Sequence, residues 1–199
     1  MECWCVSKLK SWLLILITIL ILMVCRIDGG CIEEERKVLL EIKTSLIDSN
    51  FLDLNGFLLS WVDDGSIGGE CCDWERVTCN TTTGHVTNLT LRNMVGLPEQ
   101  FYEDCKSIWP LNVSVFLNFK ELTSLNLSWN CLDNNIVNTG LGRLSSLRKL
   151  ETLDLSHNSI GNETFHLLGA LTSLRVLNLG YNKLEGYLPT LGMSLVLLN

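Results

Sequence analysis

The chain has 199 residues, of which 47% are hydrophobic and 19% are charged, and its formal net charge is −7. A chain of this length can bury one substantial core, and its positive mean hydropathy excludes an intrinsically disordered tail. The acidic balance argues against a nucleic-acid-binding protein, which normally carries a basic patch. Leucine is the most frequent residue, at 40 positions, and this excess requires a structural explanation.

The N-terminal residues have the pattern of a secretory signal peptide. Lys8 and Lys10 precede an apolar run over 12–24, which as a helix rises roughly 20 Å against a hydrocarbon core of roughly 30 Å. The basic start, the short apolar run and the Asp-Gly-Gly segment at 28–30 predict a signal peptide over 1–30. An uncleaved N-terminal anchor is the alternative.

Six cysteines follow the predicted signal peptide, and secretion would expose them to an oxidising environment. An even number of cysteines in a secreted chain indicates disulfides, although six cysteines allow about fifteen pairings. Zinc binding is poorly supported, because no Cys-x-x-Cys pair is present and the histidines lack ligand spacing. The six are Cys31, Cys71, Cys72, Cys79, Cys105 and Cys131.

Four segments follow the pattern L-x-x-L-x-L-x-x-N, with Val86 and Met94 as the only substitutions, and start 36, 28 and 24 residues apart. The Leu-x-Leu step has the period of a β-strand, so both leucines are expected to point inward. The closing asparagine can bond backbone groups where the coil turns. The repetition predicts an α/β leucine-rich-repeat solenoid with short parallel strands on its concave face. The segments begin at Val86, Leu122, Leu150 and Leu174.

The spacing of the repeats also predicts the domain boundaries. About four repeats occupy 86–189, and the long first step predicts an insertion near 94–120. Cys131 directly follows the asparagine of the second repeat, so a Cys105–Cys131 bridge is one way to fix the insertion to that coil. Residues 190–199 abandon the repeat spacing and are predicted to form an irregular, truncated end.

Residues 31–85 precede the repeats and are predicted to form a cap, because a terminal coil without cover would expose apolar surface to water. One face of a predicted helix in this region is apolar. The glutamates at 33–35 are expected to face solvent in its first turn, where negative charge complements the helix dipole. The apolar face consists of Ile32, Val38, Leu39, Ile42 and Leu46.

A family resemblance is carried by the cap and by the third repeat. The N-terminal cap of plant leucine-rich-repeat receptors closely resembles the run CCDWERVTC at 71–79 with TGHV at 83–86. The run LETLDLSHN at 150–158 looks most like the repeats of one group of these receptors, the receptor-like proteins. The resemblance implies that Cys31 pairs with Cys71 and that Cys72 pairs with Cys79.

The same resemblance implies a function. Receptor-like proteins are cell-surface proteins with extracellular repeats, one transmembrane helix and a short tail without a kinase. The chain is therefore expected to be a non-catalytic extracellular region that recognises a peptide, glycan or protein in defence or developmental signalling. A co-receptor kinase is the expected partner of a full-length protein, which would reside in the plasma membrane.

The sequence stops at Asn199 without the further repeats, C-terminal cap and transmembrane helix of that family. Two alternatives follow. One is a secreted inhibitor of a hydrolase, similar to polygalacturonase-inhibiting proteins, and the other is a non-functional fragment. The chain itself is expected to be extracellular, with membrane attachment only through missing C-terminal parts or an uncleaved signal.

Motifs of enzyme chemistry are missing from the sequence. It contains no nucleophile elbow, P-loop, dinucleotide-binding glycine motif or His-Glu-x-x-His zinc motif. Asp63 and Asp64 lie in a Gly/Ser-rich stretch, where paired acids are usually solvated turn residues. The sequence predicts neither an enzyme nor a cofactor.

Five sequons for N-glycosylation follow the predicted signal peptide. Two of them, at Asn88 and Asn126, lie on outward positions of predicted strands, whereas those at Asn112 and Asn162 are expected to be the most accessible. The five acceptors are Asn80, Asn88, Asn112, Asn126 and Asn162.

The position before the closing asparagine carries an aromatic ring in three successive repeats. Large, rigid side chains contribute disproportionately to interfaces, so this column is a candidate anchor for a ligand. The alternative is that the polar slots beside it are repeat consensus and contact no ligand. The candidates on this face are Arg92, Trp129, Asp154, His157, Asn178 and Tyr181.

Overall fold

The computed structural model of the chain describes most of the cap and repeats. The predicted signal peptide, apart from Gly30, and Cys105 lie outside the described residues. No helix within the described part of the chain is long and apolar enough to cross a membrane. The described residues are 30–48, 57–63, 70–94, 96, 109, 111–138, 140–185 and 194–196.

The cap begins with helix α1, Glu33–Asp48, whose buried side contains the predicted apolar positions from Val38 to Leu46. One expectation for this helix was wrong. Glu35 is only 2% exposed, because its carboxylate accepts hydrogen bonds from the Val86 backbone N–H at 2.7 Å and from His85 Nδ1 at 2.8 Å. This carboxylate joins the cap helix to the first repeat.

Two disulfides connect the cap elements in the pairing that the family resemblance implied. Cys31 bonds to Cys71, and Cys72 bonds to Cys79, each with a Cα–Cα distance of 5.4 Å. The first bridge ties the chain before α1 to a short 3₁₀ helix, Cys71–Asp73. The second ties that helix to the first strand, which ends at Cys79.

Six strands within the described residues form one sheet in sequence order. The first two are antiparallel, and every later pair is parallel. A parallel stack of short strands joined by returning coils is the predicted leucine-rich-repeat solenoid. The strands are β1 (Val77–Cys79), β2 (Val86–Thr90), β3 (Ser124–Asn126), β4 (Thr152–Asp154), β5 (Val176–Asn178) and β6 (Ser194–Val196).

The leucines of the repeats stack along the core, as the Leu-x-Leu period predicted. The central leucines of β2 to β5 pair in register and none is more than 1% exposed. Burying each such side chain contributes roughly 1.5–3 kcal/mol. The paired residues are Leu89, Leu125, Leu153 and Leu177.

The return side of the coils is built from short helices. Helix α2 spans Asn135–Asn138 and helix α3 spans Phe165–Leu168. The remaining helical segments are 3₁₀ helices, whose three-residue period places every third side chain on the core. Their bounds are Val113–Asn118, Leu141–Ser146 and Asn162–Thr164.

The return before β3 differs from the predicted insertion over 94–120. Its 3₁₀ helix buries Val113 and Phe116, and Phe119 follows at the same spacing before Leu122. In the next coil, Leu141, Leu144, Leu147 and Leu150 have that spacing. The last ten residues of the predicted insertion are thus an ordinary coil in which phenylalanine replaces leucine.

The structure also differs from the irregular end predicted for 190–199. Ser194–Val196 pairs in parallel with β5 and extends the sheet by one strand. The outer edge of β5 presents backbone N–H and C=O groups, and a further strand satisfies them.

Candidate recognition surface on the concave face

Strands β3, β4 and β5 end in the same turn, which is set by an Asn or Asp side chain. Asp154 Oδ1 accepts hydrogen bonds from the Ser156 backbone N–H at 2.9 Å and from the Ser156 hydroxyl at 2.7 Å. Asn126 and Ser128 form the same pair of bonds. Such Asx turns bend the backbone directly after the strand.

The residue that follows each Asx turn has a left-handed backbone. The φ angles are 61° for Trp129, 50° for His157 and 53° for Tyr181, and Asn93 has 53° at the same slot of the first repeat. Asn and His tolerate this region, whereas it is strained for the bulky Trp and Tyr. Strain of this kind persists only where the surrounding structure imposes it.

Hydrogen bonds between coils impose this backbone. Trp129 N–H donates to the Ser156 carbonyl at 3.1 Å, and His157 N–H donates to the Gly180 carbonyl at 2.9 Å. Trp129 and His157 are therefore each held by the Asx turn before them and by the coil beside them.

In the second, third and fourth repeats, the closing asparagine completes the turn from inside. Asn158 Nδ2 donates to the carbonyls of Leu127 at 3.0 Å and Leu155 at 2.9 Å. Its Oδ1 accepts from the backbone N–H groups of Asn130 and Leu132, both at 3.0 Å. The asparagines of the neighbouring coils also bond to the coil before them. The sequence predicted bonds to the turn, and the structure adds the bonds between coils.

The left-handed turns place three rings in one stack, the aromatic column of Trp129, His157 and Tyr181. The ring centroids of Trp129 and His157 lie 3.9 Å apart, and those of His157 and Tyr181 lie 4.2 Å apart. Interplanar angles of 17° and 15° make both contacts face to face. Tyr181 is the most open member, with 47% of its surface exposed.

Two arginines, the arginine corner, lie at the opposite end of the column. The Arg92 guanidinium lies over the Trp129 ring, 5.4 Å from its centroid. Arg76 Nη1 donates to the Arg92 carbonyl at 3.0 Å. Burial lowers the pKa of Arg76 below its ordinary value; Glu75 opposes this shift and the positive charge of Arg92 adds to it.

Of the predicted ligand-face residues, the structure brings Arg92 together with the aromatic column. Asp154 and Asn178 lie on the adjacent strands β4 and β5, where each accepts a bond from the turn that follows. The sequence did not indicate Arg76. This residue reaches the site because β1 pairs with β2, and its carbonyl accepts from Thr90 N–H at 3.0 Å.

The predicted glycosylation sites differ in exposure. The acceptors at 88, 112 and 162 are exposed, whereas Asn80 and Asn126 are half-buried. Asn80 Oδ1 also accepts from the backbone N–H groups of Thr82 and Thr83, within its own sequon and directly after it. Use of each site stays a prediction.

The described cysteines are all disulfide-bonded. The sulfurs of Cys31, Cys71 and Cys72 lie within 4.8 Å of one another, but all three belong to disulfides and are not thiolate ligands. Cys131 is also disulfide-bonded, and its predicted partner Cys105 lies outside the described residues.

Comparison with known proteins assigns the chain to a group. The family of leucine rich repeat N-terminal domains matches residues 32–80, and two leucine-rich-repeat families match residues 121–138 and 148–190. Receptor-like protein 1 of Arabidopsis thaliana is 37% identical over 200 residues, which cover 96% of this chain and 18% of that protein. The chain is a homologue of plant leucine-rich-repeat receptor-like proteins.

Two further proteins are similar to this chain and show how much of each relative it covers. Receptor like protein 21 of Arabidopsis thaliana is 36% identical over 172 residues, covering 83% of this chain and 16% of that protein. The crystal structure of a plant ice-binding protein has a TM-score of 0.53 and 27% identity, covering 78% of this chain and 42% of that one. The chain thus spans less than a fifth of the length of these two receptor-like proteins.

Proposed function

We propose that this chain is a non-catalytic extracellular recognition region, which binds a peptide or protein through the concave face of its repeats. As part of a receptor-like protein at the plasma membrane, it would act in plant defence or developmental signalling together with a co-receptor kinase. The similarity to receptor-like proteins over nearly the whole chain supports the receptor context.

The aromatic column is the observation that carries the proposal. Its three rings stack at 3.9 Å and 4.2 Å, and the backbone N–H groups of Trp129 and His157 are each hydrogen-bonded to the next coil. A surface that is ordered before binding loses little conformational entropy when a partner docks. Aromatic side chains are also the residues that most often dominate binding energy.

The polar groups beside the column are engaged in the turn and do not form a hydrolytic triad. Ser156, Asp154 and His157 include the residue types of a hydrolytic triad, which requires a hydrogen bond between the serine and the histidine. Here the buried Ser156 hydroxyl donates to Asp154, and His157 stacks between two rings. The serine and aspartate therefore shape the turn.

A capture experiment with matched variants tests the proposal. His157→Asn removes one ring from the column and keeps a residue that tolerates the left-handed backbone, as Asn93 does in the first repeat. His166→Asn is the control, because His166 is exposed on α3, on the return side. The secreted chain and both variants are immobilised and exposed to extracellular fluid, and bound species are identified by mass spectrometry.

We expect species that bind the wild type and the His166→Asn variant and are at least tenfold depleted on the His157→Asn variant. Melting temperatures establish that both variants are folded. Equal recovery of every species on the three surfaces, or no recovery at all, would contradict recognition through the aromatic column.

A further inference from the structure

The arginine corner is a local concentration of positive charge on an acidic protein. The chain carries a net charge of −7, yet the Arg76 guanidinium contacts the backbone carbonyl of Arg92 at the cap end of the aromatic column, with Glu75 as the acidic residue that opposes their charge. Arg76 is held there by two contacts, the hydrogen bond to the Arg92 carbonyl and a position 5.6 Å from the Phe57 ring centroid. Guanidinium groups are suited to carboxylates, which they bind with two parallel hydrogen bonds.

Stacking within the column restricts the ligands that it can accept. His157 has a ring on each face, and Trp129 has His157 on one face and the Arg92 guanidinium near the other. A sugar ring or a base that needs an open aromatic face at Trp129 or His157 would have to displace these contacts. An extended chain can instead lie along the ring edges without separating the rings.

We propose that the ligand is an acidic peptide segment, which lies along the edges of the aromatic column and places carboxylate groups against Arg76 and Arg92. This inference rests on the proposed recognition function and specifies the chemistry of its ligand. The steps along the strip measure 5.4 Å from Arg92 to Trp129 and then 3.9 Å and 4.2 Å between rings. About four residues of an extended peptide, at about 3.3 Å per residue, cover this length.

Fluorescence anisotropy with synthetic probes tests the inference. Fluorescein-labelled hexaglutamate is titrated with the secreted chain at physiological salt, with hexaglutamine and hexalysine as uncharged and oppositely charged probes and polygalacturonate as an acidic glycan. Arg76→Gln/Arg92→Gln removes both charges, and Arg76→Lys/Arg92→Lys retains them. Arg148→Gln removes an exposed charge that lies away from the column.

We expect hexaglutamate to bind the wild type at least tenfold more tightly than hexaglutamine. The double glutamine variant should lose at least tenfold in affinity, the double lysine variant should retain most of it, and Arg148→Gln should change it less than twofold. Equal binding of hexaglutamate to the wild type and the double glutamine variant, or tighter binding of polygalacturonate than of hexaglutamate, would overturn the inference.

Failure of this inference is distinguishable from failure of the recognition proposal. A captured species that depends on His157 but not on the two arginines would contradict the acidic-peptide chemistry and support recognition by the column. If the capture experiment yields no species whose binding depends on His157, both the recognition proposal and the acidic-peptide inference are contradicted.

Discussion

Within the described residues, the cap, which lies in 31–85, is held together by contacts that each occur once, whereas the repeats, which begin at Val86, use one turn several times. In the cap, two disulfides and the buried Glu35 connect α1 to the first strands. In the repeats, an Asx turn, a left-handed residue and a buried asparagine recur in successive coils. Stability in the repeats is therefore distributed, while in the cap it depends on a few individual bonds.

This difference explains where a recognition surface can form. A turn that recurs at the ends of β3, β4 and β5 places equivalent side chains above one another, so that three rings become a column. The cap contributes one residue to that surface, Arg76, which directly precedes β1 and is positioned by that strand beside Arg92.

The largest expected effect concerns the covalent bonds of the cap. Cys31→Ser/Cys71→Ser removes a bridge that spans 40 residues, and Cys72→Ser/Cys79→Ser removes one that spans 7. Because a longer loop restricts the unfolded chain more, we expect losses in unfolding free energy of about 4 and about 2 kcal/mol. Urea denaturation of both variants measures them, and a larger loss for the short loop would contradict the chain-entropy explanation.

The second prediction addresses the repeats. Asn158→Ala removes the groups that bond two backbone N–H donors and three carbonyls in the buried turn. Because unsatisfied buried groups are costly, we expect a loss of about 3 kcal/mol. Asn118→Ala is the control, since Asn118 is exposed and its side chain donates to the Val115 carbonyl within its own turn. Equal effects of the two substitutions in urea denaturation would contradict a structural role of the buried asparagines.

The sequence predicts the structure of the repeats better than that of the cap. The leucine stack, the closing asparagines and the alignment of the three rings all follow from periodicity. The burial of Glu35 does not, because it belongs to a run of three glutamates and its partners are distant in sequence. Arg76 was missed for the same reason, since an antiparallel pairing brings it to the concave face. The return through Phe116 escaped detection because aromatic residues replace leucine there.

A third prediction isolates the buried carboxylate. Glu35→Gln keeps the shape of the side chain but replaces one acceptor oxygen with a donor, which opposes one of the two donors now bonded to it. We expect a loss of about 2 kcal/mol in unfolding free energy. The exposed neighbour supplies the control, and Glu34→Gln should change stability by less than about 0.5 kcal/mol. Indistinguishable melting curves for the two variants would show that Glu35 does not connect the cap to the repeats.

The smallest expected effect tests the Asx turn. Asp154→Ala removes the acceptor for the Ser156 N–H and hydroxyl, and should cost about 1 kcal/mol. Asp154→Asn should be nearly neutral, because Asn126 and Asn178 fill this slot in the neighbouring coils. Near-ultraviolet circular dichroism reports the packing of the aromatic rings. A signal that changes equally in both variants would contradict the positioning role of the side-chain oxygen.

Hydroxyl-radical footprinting of the chain, with and without a captured ligand, tests recognition by the concave face most directly. The oxidation rates of Trp129, His157 and Tyr181 can be compared with those of Phe165 and His166 on the return side. Recognition by the column predicts that the ligand protects the first three residues severalfold and leaves the other two unchanged. Protection confined to the return side, with the column still fully reactive, would contradict it.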